Sequence, residues 1–198
     1  YVEDFAFSKD GRLLATDAAN ASVQVFDKTT SHYLTQFGGK GGSDEHLEKP
    51  EGIAVDPEGR VFVADYTTGE VKIYDQRYRW QRTFSEYGTG PGQTLKAEFM
   101  DIHAGRLYLA EAGNHRVSVF DLQGHFLFSF GGYGKEPGKL HIADRRQGHW
   151  HRHPGRCPGE GIRQVLSCHR QRRSCTGHGP WAFDLFRYRQ RHGRYSPA

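Results

Sequence analysis

Asp17, Asp65 and Glu111 recur at intervals of 48 and 46 residues, each closing a short apolar run. Carboxylates repeated in this way could line a ligand or cation site. The same residues could instead cap turns through local hydrogen bonds to the backbone. Asn20, Glu70, Asn114, His115 and Arg116 follow them within a few positions. The imidazole and guanidinium could contact a ligand or bridge neighbouring structural units. Asp56 and Asp101 are further acids of interest, because metal-dependent hydrolysis needs acids or His that converge on one point. Asp56 has an adequate role in a turn, however, and Ser8 stands 48 residues before it.

Other chemistry-bearing motifs are weaker. Gly38-Gly39-Lys40-Gly41-Gly42-Ser43 suggests a phosphate-cradling loop, but it lacks the G-x-x-x-x-G-K-[ST] spacing and no helical pattern follows. Gly138-Lys139 fails the same pattern, since Tyr133 and Leu140 occupy the required Gly and Ser/Thr positions. No serine sits in a nucleophile elbow, and no H-E-x-x-H occurs. Asn20-Ala21-Ser22 is a glycosylation sequon, meaningful only in a secretory pathway.

The net charge of +4 conceals two different sequences joined end to end. Residues 1–140 carry 15 basic and 20 acidic residues, a net −5, while residues 141–198 carry 12 Arg, no Lys and 3 acids, a net +9. No apolar run reaches the length of a membrane span. No charged-then-apolar leader opens the sequence, which starts at Tyr1 as a fragment or processed product would.

The elements that must position these residues follow from a repeat. Residues 4–27, 52–75 and 99–121 align in one register. Gly11, Gly59 and Gly105 share the spacing of the acids, as do Phe26, Tyr74 and Phe120, and each Gly precedes its aromatic by 15 residues. Each unit reads as four short strands. Ile53–Val55, Val61–Ala64, Val71–Tyr74 and Trp80–Phe84 are β-branched or aromatic runs bounded by turn residues. Asp56-Pro57-Glu58-Gly59 is a turn in which Pro presets φ and Gly removes the Cβ penalty. Helical periodicity is absent from residues 1–130. The fold class is therefore all-β, with blades of four antiparallel strands in a β-propeller.

The third unit sets Asn114-His115-Arg116-Val117 after Leu107-Tyr108-Leu109-Ala110-Glu111. This resembles an NHL repeat, named for Asn-His-Leu. The second unit resembles the same family through GIAVDPEGRVFVAD, with Thr68-Gly69-Glu70-Val71 at the motif, and the first has Asn20-Ala21-Ser22-Val23 there. The resemblance covers residues 2–140. It implies a ring of about six blades, of which three are present, so terminal blades would expose strand edges and apolar faces, and the isolated chain is expected to be poorly stable.

In such a blade the strands a, b, c and d form a meander. The a–b and c–d turns lie on one side of the disc, and the b–c and d–a connections on the other. The d–a connections Gly38–Pro50 and Tyr87–Lys96 are long, and long loops on a rigid frame are where binding usually resides. The candidate ligand-binding face is Asp17, Asn20, Asp65, Glu70, Glu111, Asn114, His115 and Arg116, plus those loops. Asp27, Asp75 and Asp121 end strand c and should shape the c–d turns, and Trp80 should pack between blades.

The leading function is a non-enzymatic scaffold for a protein, peptide or small ligand, with no cofactor and no metal site. An alternative follows the related six-bladed phytases, lactonases and amidating lyases, and a phytase-like member would use calcium. A second alternative follows the RNA-binding members of the family, which rely on a basic face, and the acidic balance of residues 1–140 argues against nucleic acid there. The compartment is open, and the resemblance leans towards an extracytoplasmic or secreted setting.

Residues 141–198 form an aberrant Arg/His-rich tail. Ile142-Ala143-Asp144 and Gly148 begin like a fourth unit, and the pattern then collapses into Arg, His, Gly, Pro and Cys. A basic arm for nucleic acid, a zinc site from Cys157, Cys168, His169, Cys175 and His178, and translation in a wrong reading frame all compete. The cysteines lack a C-x₂-C knuckle. Twelve Arg without Lys suit GC-rich DNA read out of frame better than selection for phosphate binding, which does not exclude Lys. With a frameshift near residue 140, sequencing the gene should uncover a fourth repeat downstream in one of the other two frames. Two frames without a repeat would remove the idea.

Overall fold

The structure, a computed structural model, describes residues 2–140. They form twelve strands in three four-stranded antiparallel sheets, each a simple meander in chain order. The first holds β1 (Val2–Phe7), β2 (Arg12–Asp17), β3 (Ser22–Asp27) and β4 (Tyr33–Gly38). The second holds β5 (Pro50–Val55), β6 (Val61–Asp65), β7 (Val71–Tyr74) and β8 (Trp80–Phe84). The third holds β9 (Ala97–His103), β10 (Arg106–Glu111), β11 (Arg116–Asp121) and β12 (Phe126–Gly131). The four strands read from residues 53–84 are all present. β5 starts three residues earlier than its apolar run, because a register shift between Pro50 and Ile53 lets Pro50 still pair with Asp65. The strand a positions β1, β5 and β9 lie side by side, β1 against β5 and β5 against β9.

Each sheet has two apolar faces. One leads towards the preceding sheet, and the other trails towards the next. The trailing face of the first sheet (Leu14, Val23, Val25, Phe37) packs on the leading face of the second (Ile53, Val61, Val63, Tyr74). The trailing face of the second (Phe62, Val71, Ile73, Phe84) packs on the leading face of the third (Met100, Leu107, Leu109, Phe120). Matching residues meet at both junctions. Phe37 lies 4.7 Å from the ring of Tyr74, and Phe84 lies 5.2 Å from that of Phe120. Trp80 packs partly buried against the first junction, between sheets as its sequence position suggests. β6, buried on both sides, therefore reads as a continuous apolar run over residues 61–64 instead of an alternating one, while in β7 the buried Lys72 interrupts the apolar residues.

The turns follow one recipe. Asp75 Oδ1 accepts the amides of Arg77 (2.8 Å) and Arg79 (2.9 Å). Asp121 Oδ1 accepts those of Gln123 (2.9 Å) and His125 (2.8 Å), and Asp27 Oδ1 those of Thr29 (2.9 Å) and Thr30 (2.7 Å). These c–d turns hold the Asp27 and Asp75 carboxyls below the usual range, chiefly through the Thr30 and Arg79 amides. Asp56 does the equivalent work at an a–b turn. It is buried, accepts the Arg60 amide at 2.8 Å and pairs with Arg60 Nε at 2.7 Å.

Phe62 is fully buried in the second junction, whereas Leu34 is 49% exposed on β4. Phe62→Ala should cost about 3–5 kcal/mol, enough to unfold much of a marginal domain, and Leu34→Ala within about 0.5 kcal/mol. Urea titration followed by far-UV circular dichroism reads both.

Candidate functional site

The b–c turns begin where strand b ends, at Asp17, Asp65 and Glu111, and lie beside the d–a connections. Asp65 is buried, with both oxygens engaged by backbone. Oδ2 accepts the amides of Glu48 (2.6 Å) and Lys49 (3.0 Å), at the end of the incoming d–a connection. Oδ1 accepts those of Thr67 (3.0 Å) and Thr68 (3.2 Å), in its own b–c turn. One carboxylate thus ties two loops together.

Glu111 repeats the arrangement with side chains added. It is fully buried, and its Oε2 accepts the Leu95 amide at 3.0 Å and Asn114 Nδ2. Its Oε1 accepts Arg116 Nε at 2.9 Å and the hydroxyl of Ser118. Arg116 then donates to three carbonyls of the connection between β8 and β9: Thr89 (3.0 Å), Gly90 (2.9 Å) and Gln93 (2.6 Å). Asn114 adds a bond to the Gly88 carbonyl at 3.0 Å. The network satisfies the buried carboxylate with a cation and donors, which is what makes its burial tolerable.

The first unit is looser. Asp17 Oδ2 accepts Asn20 Nδ2 at 2.7 Å, and Asn20 is exposed. In the second unit Glu70 pairs with Lys72 Nζ at 3.1 Å, and Lys72 donates to the Asp44 carbonyl at 2.7 Å, holding the connection between β4 and β5.

The motif variation at Ala21, Gly69 and His115 has a backbone cause. All three take positive φ, at 54°, 71° and 52°. At Gly69 a Cβ would stand 2.6 Å from Tyr87 Cα, so the second unit needs Gly for space as well as for φ. His115 has the room for a ring and packs edge-on to Tyr133 at 5.0 Å, its Nδ1 buried without a hydrogen-bond partner among the described residues.

Eight sequence-selected residues therefore share one side of the sheets in three separate b–c turns. Arg116, Asn114 and Glu111 come together directly. Asp56 and Asp101 do not join them. Asp56 lies in the a–b turn bound to Arg60, and Asp101 is exposed, accepting its neighbour's amide at 2.8 Å. Among the described residues no group of three or more His, Cys, Asp and Glu is arranged to hold a metal ion. No helix there is long and apolar enough to cross a membrane. The cysteine and histidine cluster of the tail lies outside the described residues.

Glu51 escaped the sequence reading. It is buried, paired with Lys49 Nζ at 2.6 Å, and held above the usual carboxylate range by burial, against the pull of Lys49. Glu3 and Glu98, at matching positions of the neighbouring strands, push it further up. Their spacing of 48 and 47 residues was the available signal.

Arg116→Ala should release the carbonyls of residues 89–93 and leave the Glu111 carboxylate short of its cation. Amide exchange should quicken at Thr94 and Leu95 well before it changes in β6 or β7. Uniform acceleration would show instead that the loop and the core open together.

The NHL repeat profile matches residues 47–74. No curated protein sequence matches the chain. Among solved structures, hydrazine synthase of Kuenenia stuttgartiensis superposes with a TM-score of 0.51 at 20% identity, over 63% of this chain and 34% of that one. Virginiamycin B lyase of Staphylococcus aureus gives 0.51 at 12%, over 64% and 40%. Glutaminyl cyclase of Myxococcus xanthus gives 0.52 at 14%, over 71% and 53%. The match spans about a third to a half of each of those chains. At such identities the likeness is one of fold. The chain carries an NHL repeat at residues 47–74 and folds as consecutive four-stranded β-propeller blades.

Proposed function

We propose that this chain is part of a non-enzymatic NHL-repeat propeller and that it binds a peptide or protein on its long-loop face.

 The supporting observation is the way the loops are held. Asp65 grips residues 48 and 49, and Arg116 with Asn114 grips residues 88–93, so both long connections are fixed by buried or half-buried groups. Loops ordered in advance lose little entropy on binding. Tyr87, at the start of the second of these connections, is 59% exposed, and Tyr133, at the matching position after the third sheet, 67%. Tyrosine offers an apolar ring with a polar tip at low entropic cost, which suits peptide recognition. A ring of six such sheets would complete the scaffold. The net −5 of residues 1–140 disfavours a polyanion as the ligand.

The enzymes among the structural neighbours share the fold, and a fold hosts many activities. Asp56, one of the two acids that phytase-like calcium chemistry could draw on, is already bound to Arg60. Peptides selected from a random displayed library on the immobilised chain test the proposal. Tyr87→Ser should weaken the selected peptides about tenfold, a loss of about 1.4 kcal/mol. Glu58→Ser, in the a–b turn on the other side, should leave them unchanged. Peptides sensitive to Glu58 and indifferent to Tyr87 would place binding on the wrong face. Calcium-dependent phosphate release from phytate would replace the scaffold with a hydrolase.

A further inference from the structure

Two apolar faces have no sheet against them among the described residues: the leading face of the first sheet and the trailing face of the third. Phe5 is 51% exposed on the one and Phe130 is 46% exposed on the other. The repeat register states what each face is built to meet. Phe5 and Phe26 stand where Ile53 and Tyr74 do in the first junction, and where Met100 and Phe120 do in the second. Val119 and Phe130 stand where Val25 and Phe37 do, and where Ile73 and Phe84 do. The open faces are thus the two halves of one further junction, carried by the first and the last of the described sheets.

An arginine marks the polarity of the contact. Arg12 and Arg106 open strand b in the first and third sheets, and Arg60, at the matching position, immediately precedes it in the second. Arg12 crosses the first junction, donating to Tyr78 Oη at 3.0 Å, in the c–d turn of the next sheet. Arg60 crosses the second, donating to the Leu122 carbonyl at 3.4 Å in the corresponding turn. Arg106 instead lies over the ring of its own sheet's Phe128, 5.9 Å from the centroid, on the open trailing face. The turn it would reach, by register, is the β3–β4 turn that begins at Lys28.

We propose that a second copy of this chain docks head to tail on these faces, Phe130 of one copy against Phe26 of the other and Arg106 against the other's β3–β4 turn. The contact reproduces a junction seen twice within the chain. Because it joins different surfaces, two copies can share two such junctions if the rotation closes, and otherwise add further copies in series. The contact lies between sheets and leaves the long-loop face uncovered, so it stands independently of the proposed binding role.

Sedimentation velocity of the full 198-residue chain over a wide concentration range tests it. The wild-type chain should run at twice the monomer mass or above. Phe5→Asp and Phe130→Asp each remove one half of the junction from exposed positions, and each alone should run as a monomer with an unchanged circular dichroism spectrum. Mixed in equal amounts, they should form a heterodimer, because one intact trailing face then meets one intact leading face. Arg106→Glu, at an exposed position, should weaken association without touching the apolar core. A monomeric wild-type chain would overturn the proposal. So would association that survives in either aspartate variant alone, or a mixture that stays monomeric.

Discussion

Everything in this chain depends on the burial of one twisted sheet against the next. A four-stranded meander with apolar residues on both faces has no stable existence in water, and neighbours on both sides are its natural solution. The second sheet has them. Val61, Phe62, Val63 and Ala64 are all buried, two facing each way, and that double burial is why the strand shows no polar alternation. The outer sheets have the same residue types at the same places, and among the described residues each has a neighbouring sheet on one face alone. Stability is therefore shared unevenly along the chain, greatest in β6 and β7 and least in β1 and β12.

That uneven core explains how the loops are made firm. Strands b and c of each sheet are the best anchored, so a carboxylate at the end of strand b is a fixed post. Asp65 and Glu111 use it to capture backbone amides of the connection that arrives from the previous sheet. The result couples loop order to sheet packing: a loop remains in place while its junction remains closed. Arg116 extends the principle, since a planar guanidinium can reach several carbonyls at once while its Nε stays on Glu111. The acids that look like ligands are largely occupied in holding the surface on which a ligand would sit.

Much of the fold was legible because its determinants are local and repeated. The 15-residue step from turn glycine to strand c aromatic, and the Asp-Pro-Glu-Gly turn, each state a backbone requirement that few residue types meet. The candidate face was legible only as a location. Which oxygen of Asp65 meets which amide depends on Glu48 and Lys49, whose backbone groups carry no side-chain signature. Gly69 reads as an ordinary turn residue, yet the approach of Tyr87 makes any larger residue costly. Glu51 was hidden for another reason: it sits at a strand bulge, and its coupling to Glu3 and Glu98 arises only between neighbouring strands.

The same registers separate the two roles that a repeated residue can play. Arg12, Arg60 and Arg106 occupy one position, yet only the first two have a following sheet among the described residues, and only those two bridge to it. Arg116 has no basic counterpart at Ser22 or Glu70, and it serves its own loop. A basic residue kept at every repeat thus belongs to the junction, and one found in a single repeat belongs to the loop it holds. By that criterion the residues that distinguish this chain from a generic stack of blades lie on the long-loop side, around residues 86–94 and 111–116, where the variation between units is greatest and the core places the fewest demands on side-chain identity.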